Sequence, residues 1–438
     1  MASSAGPTWQ SLTSAARLVP QHRPSTSRST QASNAQPGHR SAVASTPPLL
    51  PVEHLACTAM PPAKACRRRR RRGPRRSPRS PAQLVEDTVG EILLRLPPND
   101  PASLVRASAV SKTWRRALAD PTFPARYRAF HRTPPVLGVF WGDAVLVPTT
   151  SFRPPAADHS DCNELDCRHG RVLLENLDCG GLFVWDPITG DLRRLPEVPD
   201  IFSLVCNGAV LCAAGARCDH LACHGGAFLV ALVGASIEGE MHACLYSSET
   251  GAWSAPTSAL LDYIYIPPDY TATTSCITVD NVPAALVGDA LYFIGDFGNE
   301  ILRYDLVGEN QNLAVVDPPD VETCYDGVVV MPEENGRLGF AFVKANSLHL
   351  WLMETGPDGY GRWEKRRVIN LETLFPVFNL SPYLSGFVDA INCIVVTTDD
   401  AVFTIELKSL QTRKVCKTEK PYCSCLYASF YIPACAGG

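Results

Sequence analysis

Residues 84–131 read LVEDTVGEILLRLPPNDPASLVRASAVSKTWRRALADPTFPARYRAFH, and only here do helical periodicity, capping residues and helix breakers agree. Asp87 can cap a first helix, whose apolar residues recur at helical spacing and which Pro97-Pro98 ends. Asp100 before Pro101 marks a second start, because a capping side chain precedes a proline at the first helical position. The stretch therefore predicts a run of short helices.

Two further helices follow in the same stretch. A third helix carries an apolar stripe that includes Trp114 and ends at Asp120-Pro121. A fourth has aromatic residues at helical spacing, Phe123, Tyr127 and Phe130. So few residues cannot cover all this apolar surface among themselves. Because full burial of a large apolar side chain is worth roughly 1.5–3 kcal/mol, the surplus needs a partner surface, either in this chain or in another protein.

The pattern of the helical stretch resembles an F-box. The matching segments are EILLRLP (91–97), LVRA (104–107) and VSKTWR (110–115), followed by DPTF (120–123) and RYRAFH (126–131), which resemble the extension of plant F-box proteins. One departure is Leu84-Val85, where the family usually has Leu-Pro.

The resemblance implies a partner and a role. F-box helices bind a Skp-type adaptor, which connects to a cullin scaffold in an SCF (Skp–cullin–F-box) ubiquitin ligase. The side chains expected to contact the adaptor are Val89, Ile92, Leu93, Leu96, Leu104, Val105, Val110 and Trp114. The molecule itself is then a non-catalytic subunit that recruits an unknown target protein for ubiquitination.

Charge divides the 438-residue chain unevenly. The net charge is -4, yet residues 1–82 hold fourteen Lys and Arg and a single acid, Glu53, so that the remainder carries about -17. An acidic body does not favour a general nucleic-acid binder. No run of eighteen apolar residues predicts a membrane span, and seventeen cysteines in so long a chain favour free thiols in a reducing compartment.

Residues 1–82 form a basic tail rich in Ser, Pro and Arg that we expect to be disordered. The run Arg67 to Arg72 is compatible with nuclear import. The acid-free start of the chain is also compatible with an organellar transit peptide, or with a simple extension or a gene-model artefact. We expect the protein in the nucleus, the cytoplasm or both.

The helical segment, residues 83–132, is followed at 134–438 by short apolar runs separated by turns, which predict an all-β domain. An aromatic residue recurs roughly fifty to sixty residues apart, close to the kelch period. The recurring positions are Trp185, Tyr246, Tyr304, Trp351 and Phe403. Phrases such as FVWDPITG (183–190) resemble blades of plant F-box-associated propellers. Six blades fit the length, while five, seven, an incomplete ring or a β-sandwich pair stay open.

Clustered thiols and imidazoles are the main candidate for other chemistry. They are Cys206, Cys212, Cys218, His220, Cys223 and His224, with Cys162, Cys167 and His169 upstream. Their spacings do not form paired zinc knuckles, so we expect ordinary buried thiols, no metal and no cofactor. Cys423 and Cys425 are too close to act as a pair.

Three functions remain in contention. No motif of a known catalytic class occurs, and Asp399-Asp400, Asp280-Asn281 and Asp296 are expected in turns. The leading hypothesis is the ubiquitin-ligase subunit. The rivals are an F-box scaffold that acts outside ubiquitination and a propeller enzyme with carboxylates or a metal cluster at the mouth of the ring.

Overall fold

The computed structural model describes residues 86–142, 144–155, 159–202, 204–236, 240–259, 279–295, 298–307, 311–320, 327–333, 336–355, 361–375, 381–418 and 425–433. The predictions for the basic tail with Arg67 to Arg72, for Leu84-Val85, for Asp296 and for Cys423 lie outside these residues. No helix among the described residues has the length and apolar character that crossing a membrane requires.

Four short helices open the described chain, as predicted. They are α1 (Glu86–Leu94), α2 (Pro101–Ser108), α3 (Lys112–Ala119) and α4 (Phe123–His131). Asp87 is not the cap of α1, because the helix already includes Glu86. Asp100 makes no capping hydrogen bond, and its carboxylate instead pairs with Arg106 at 2.5 Å. The cap of α3 is Ser111, whose hydroxyl accepts a hydrogen bond from the Trp114 amide.

The remaining chain forms 24 strands among the described residues. In the first half they are β1 (Val136–Phe140), β2 (Val147–Pro148), β3 (Cys162–Arg168), β4 (Arg171–Asn176), β5 (Leu182–Trp185), β6 (Leu192–Arg194), β7 (Leu204–Cys212), β8 (Phe228–Ala235), β9 (Met241–Ser247), β10 (Ala252–Trp253) and β11 (Thr257–Ala259). In the second half they are β12 (Ala285–Val287), β13 (Ala290–Gly295), β14 (Glu300–Asp305), β15 (Leu313–Val316), β16 (Val328–Glu333), β17 (Arg337–Lys344), β18 (Ser347–Thr355), β19 (Gly361–Asn370), β20 (Tyr383–Val388), β21 (Cys393–Thr397), β22 (Ala401–Glu406), β23 (Thr412–Lys417) and β24 (Cys425–Ala428).

The strands pair into six antiparallel sheets, which are the blades of a propeller. Blade 1 is β3–β6, blade 2 is β7–β11, blade 3 is β12–β15, blade 4 is β16–β19 and blade 5 is β20–β23. The sixth, or closing blade, joins the two ends of the domain, because β24 pairs with β1 and β1 pairs with β2. The all-β prediction is thus confirmed as a six-bladed ring, and the β-sandwich alternative is wrong.

Alternation along the strands explains why the blades pack into a ring. On β16, Val328 and Val330 lie in the apolar cluster shared with blade 3, whereas Val329 and Met331 lie in the cluster shared with blade 5. Because successive side chains point to opposite faces, a strand that is apolar throughout covers both neighbours. Each of the six interfaces between adjacent blades has such a cluster, including the two around the closing blade.

The recurring aromatic residues mark one position of the repeat. Trp185, Tyr246, Tyr304, Trp351 and Phe403 all lie on the third strand of their blades, on β5, β9, β14, β18 and β22. All are buried except Trp351, which is half-buried. Two tryptophans on fourth strands tie adjacent blades together: the indole of Trp253 donates to the Pro196 carbonyl, and that of Trp363 donates to the Asp317 carbonyl.

Candidate functional site: the helical unit and the propeller face beneath it

The four helices share one apolar core, and part of it comes from the far end of the chain. Leu93, Phe123 and Tyr127 are fully buried there, and Tyr127 also donates a hydrogen bond to the Leu96 carbonyl at 2.7 Å. Phe430, just after β24, packs into the same core with its ring 6.4 Å from that of Tyr127. The helices are therefore seated on the propeller.

The face of the propeller beneath the helices is set by topology. The hairpins between first and second strands lie on one face, and β1 begins there directly after α4. Leu221, from the segment between β7 and β8, contacts the helical core, and the Ala102 amide donates to the Ser151 hydroxyl at 3.2 Å. The helical unit thus covers the face that carries the first-to-second-strand hairpins.

The predicted adaptor contacts fall into three groups by exposure. Buried in the helical core are Val89, Leu93 and Leu104. Half-buried are Leu96 and Trp114. Exposed are Ile92, Val105 and Val110, with 36%, 50% and 62% of their surface accessible. Only the exposed and half-buried groups offer surface to another protein as the helices stand here, and the buried group holds the helices together.

One exposed residue of this unit was missed by the sequence analysis. Phe130 leaves 48% of its surface accessible, and the guanidinium of Arg95 lies 5.8 Å from the centre of its ring. Its helical spacing with Phe123 and Tyr127 suggested a buried stripe. Because α4 spans only nine residues, that stripe buries Phe123 and Tyr127 but not Phe130.

Basic side chains flank the exposed valines. Arg106 follows Val105, and Lys112 and Arg115 follow Val110, and all three are exposed. At the other end of α3, Asp120 accepts hydrogen bonds from the amide and hydroxyl of Thr122, which lower the pKa of its carboxyl. Because Arg106 pairs with Asp100, the excess positive charge beside the exposed valines comes from Lys112 and Arg115 on α3.

A cavity of about 240 Å³ lies among the first-to-second-strand hairpins of blades 1, 2 and 5, beside Leu221 and Phe430 of the helical core. Three of the charged residues that line it lie close together: the guanidinium Nε of Arg168 lies 3.2 Å from the Asp389 carboxylate and 3.9 Å from that of Asp166. Burial raises the pKa of both carboxyls, and the Arg168 charge opposes that rise. Since the guanidinium faces both acids, the three groups fit an ion cluster that joins blade 1 to blade 5.

Some of the candidate thiols and imidazoles form a cluster, and the others lie outside it. The ligand atoms of Cys212, Cys218, His220 and Cys223 all lie within 4.8 Å of one another, beside the cavity. The ring of His169 stacks on that of His220 at 3.9 Å, and burial lowers the pKa of His169 to about 2, so it stays neutral.

The remaining candidates have other contacts. His224 pairs with the Asp186 carboxylate at 2.7 Å. Cys162 lies elsewhere in blade 1, beside Asp161 and Asn176, and Cys167 belongs to the cavity lining but not to the cluster. The side chain of Cys206 is not among those described. Asp399-Asp400 and Asp280-Asn281 lie in turns or loops, as predicted.

Comparison with known families agrees with the helical geometry. Residues 82–126 match the model of the F-box domain. This chain carries an F-box domain. The match covers α1 to α3 and the start of α4, so the F-box is the helical unit seated on the propeller. No curated protein matches the chain.

Solved structures that resemble the chain are distant. The extracellular domain of a hybrid two-component system from B. thetaiotaomicron shares 14% identity over 58% of this chain at a TM-score of 0.29, and this chain covers only 27% of its length. A periplasmic gluconolactonase from Pseudomonas aeruginosa shares 14% identity over 64% of this chain and 77% of its own, at a TM-score of 0.36. The WD40 domain of SCAP from fission yeast shares 13% identity over 58% of this chain and 56% of its own, at 0.33.

Proposed function

We propose that this protein is the target-recruiting subunit of an SCF ubiquitin ligase, in which the F-box binds a Skp-type adaptor and, through it, a cullin. The observation that carries the proposal is the exposure of large apolar side chains on the F-box. Among the described residues ten large hydrophobic side chains are exposed, and four of them fall within the helical unit, namely Ile92, Val105, Val110 and Phe130. Exposed apolar residues so concentrated in sequence are typical of a surface that another protein covers.

The surrounding charge describes the partner. Lys112 and Arg115 border Val110, whereas Arg106 beside Val105 pairs with Asp100, so a complementary surface is apolar at its centre and acidic where it meets α3. Complementary rim charges mainly accelerate association, and salt weakens them. We therefore expect the association rate with the adaptor to fall as the salt concentration rises.

In this proposal the propeller binds the target on the face opposite the F-box. The F-box lies on the face of the first-to-second-strand hairpins, so we assign the target to the other face. No covalent chemistry is assigned to the chain. Its contribution is proximity, since it holds a target beside a charged conjugating enzyme. A protein qualifies as the target if it co-purifies with the propeller and if its ubiquitination requires an intact F-box.

The test compares two exposed valines of similar accessibility. Val105 on α2 is 50% exposed and Val368 on β19 is 47% exposed. Val105→Asp should weaken binding of a purified Skp-type adaptor at least tenfold, and Val368→Asp should leave it unchanged, with both variants melting like wild type. Adaptor binding by Val105→Asp at wild-type affinity would contradict the proposal, as would equal losses in the two variants.

A second candidate function draws on the cavity. Asp166 and Asp389 converge there, and Asp166 Oδ1 and Arg168 Nη1 are buried without a hydrogen-bond partner among the described residues. Such groups also occur in active sites. If the cavity is catalytic, Asp389→Asn abolishes turnover of a substrate without affecting adaptor binding. If the ion cluster is structural, that variant lowers stability and no substrate is found.

For localisation we propose the nucleus, the cytoplasm or both, on the strength of the basic run Arg67 to Arg72. Fluorescent fusions with and without residues 1–82 test this. Loss of nuclear signal on deletion supports import by the tail, and an organellar signal from the full chain contradicts it.

A further inference from the structure

The segment between β7 and β8 differs from the other hairpins on the F-box face. It runs over residues 213–227, whereas the corresponding connections of blades 1, 3, 4 and 5 span two to four residues. Connections this long without strands or long helices are uncommon unless they serve a function. The segment has only two single turns of 3₁₀ helix, Gly215–Arg217 and Cys223–Gly225.

Apolar packing does little to hold this segment. None of its residues is fully buried, and most are exposed. Among the described residues of the segment, Leu221 makes its one apolar contact with the F-box core. Polar and ring contacts hold it elsewhere: Arg171 donates to the carbonyls of Cys223 and Gly226 at 2.6 and 2.7 Å, and His220 stacks on His169. A long, exposed segment with so little core needs another source of order.

Four side chains with nitrogen and sulfur ligand atoms meet in this poorly packed segment. Cys212 is the last residue of β7 and is buried, and Cys218, His220 and Cys223 come from the segment itself. Their ligand atoms lie within 4.8 Å of one another. Four ligands of the Cys₃His type make up a closed structural zinc site, which has no open position for catalysis.

The separations are near those of a filled site. Tetrahedral Zn²⁺ with Zn–S bonds of about 2.3 Å and Zn–N bonds of about 2.1 Å keeps its ligand atoms roughly 3.5–3.8 Å apart. Cys223 Sγ lies 3.7 Å from His220 Nδ1. The most distant pair needs to approach by only about 1 Å, which side-chain rotation supplies.

Neighbouring groups hold the ligands in place. The His220 amide donates to Cys218 Sγ at 3.4 Å, and the Cys212 amide donates to His169 Nδ1 at 3.1 Å. The His169 ring stacks on His220 and limits its rotation. Outer contacts that orient ligands are a regular part of metal sites.

We propose that Cys212, Cys218, His220 and Cys223 bind one Zn²⁺ ion, which holds segment 213–227 against the F-box. One of its ligands, His220, directly precedes Leu221 in sequence. The ion therefore fixes the contact between the Leu221 side chain and the helical core. The site is structural, and its role is to set the orientation of the F-box on the propeller. This inference does not depend on the identity of the ligase partners.

Metal content of the full chain is the first test. Protein purified without chelator from zinc-supplemented cells should contain one zinc per chain that Cys218→Ser and Cys223→Ser lose. The matched control is Cys393→Ser, which removes a half-buried thiol outside the cluster and should retain the metal. Wild-type protein without zinc, or zinc retained by both ligand variants, would overturn the proposal.

Cobalt separates a metal site from a folding defect. Co²⁺ added to the metal-free full chain should give the absorption of tetrahedral cobalt with a thiolate charge-transfer band. His220→Cys should still bind with a changed spectrum, and His220→Ala should bind at least tenfold more weakly. A disulfide among Cys212, Cys218 and Cys223, detected by alkylation and mass spectrometry of protein prepared without reductant, would overturn the proposal in favour of a redox pair.

Hydrogen exchange tests the structural role. Removal of the metal should speed amide exchange in residues 213–227 and in α1–α4, and leave blades 3 and 4 unchanged. Leu221→Ser should retain the zinc while exchange in α1–α4 rises. Unchanged exchange in the helices after metal removal would show that the ion does not support the F-box.

Discussion

Val105 on α2 leaves half of its surface exposed, whereas Val330 on β16 is 1% exposed and packs between two blades. The difference reflects what each element has for neighbours. A blade is flanked on both sides by another blade, so its strands can be apolar throughout. The F-box shares its core with Phe430 and Leu221 of the propeller, while Ile92, Val105 and Val110 stay exposed. Burial in the ring therefore predicts a loss of stability on substitution, and under the proposed function exposure on the helices predicts a loss of adaptor binding.

The largest effect should come from the ring. Trp185→Ala removes a fully buried indole between blade 1 and the closing blade and should lower the free energy of unfolding by about 3–5 kcal/mol. Trp351→Ala, at the equivalent position of blade 4 but half-buried, should cost clearly less. Urea denaturation measures both, and equal losses would show that the two blades are packed alike.

Two adjacent residues of α2 sharpen the comparison within the F-box. Leu104 is 1% exposed and belongs to the helical core, so Leu104→Ala should cost about 2–5 kcal/mol. Val105→Ala should change stability by less than about 0.5 kcal/mol and weaken adaptor binding instead. Thermal melting and a binding assay on both variants check this. A Val105→Ala variant that loses stability rather than binding would place Val105 in the core.

The smallest effect concerns Glu175 on β4, whose carboxyl pKa burial raises from 4.5 to about 7. Because the folded chain holds this proton more tightly than the unfolded chain, the side chain increasingly destabilises the fold as the pH rises from 4.5 to 7, and the loss is complete above that. Glu175→Gln should therefore raise the free energy of unfolding at pH 8 by on the order of 1 kcal/mol, after allowance for partial exposure. At pH 4 the substitution should leave the stability unchanged. Urea midpoints at the two pH values measure the difference. An equal gain in stability at both pH values would show that ionisation of Glu175 is not its cause.

Local patterns predicted the elements but not their partners. Proline, capping residues and periodicity located the helices, and apolar runs such as residues 182–185 located strands, because these signals act within a few residues. Periodicity could not separate Leu93 from Ile92, because the core that buries Leu93 includes Phe430, which lies far along the chain.

Long-range pairing accounts for the other gaps. The sequence did not determine the number of blades, because the closing blade is assembled from both ends of the domain. No local pattern in β1 predicts that it pairs with β24. Sequence spacing did not predict the thiol cluster, because its members come from the end of a strand and from an irregular segment. In addition, His169 from another blade orients them. The one sequence feature that indicated the cluster was the Cys- and His-rich composition of the long connection at residues 213–227.

The closing blade also has a consequence for biosynthesis. A ribosome delivers the F-box early, but β24 and Phe430, which close the ring and seat the helices, emerge hundreds of residues later. A nascent or prematurely terminated chain therefore exposes apolar helices without their support. Synthesis of β24 and Phe430, rather than appearance of the F-box itself, is then the event that completes the support of these helices.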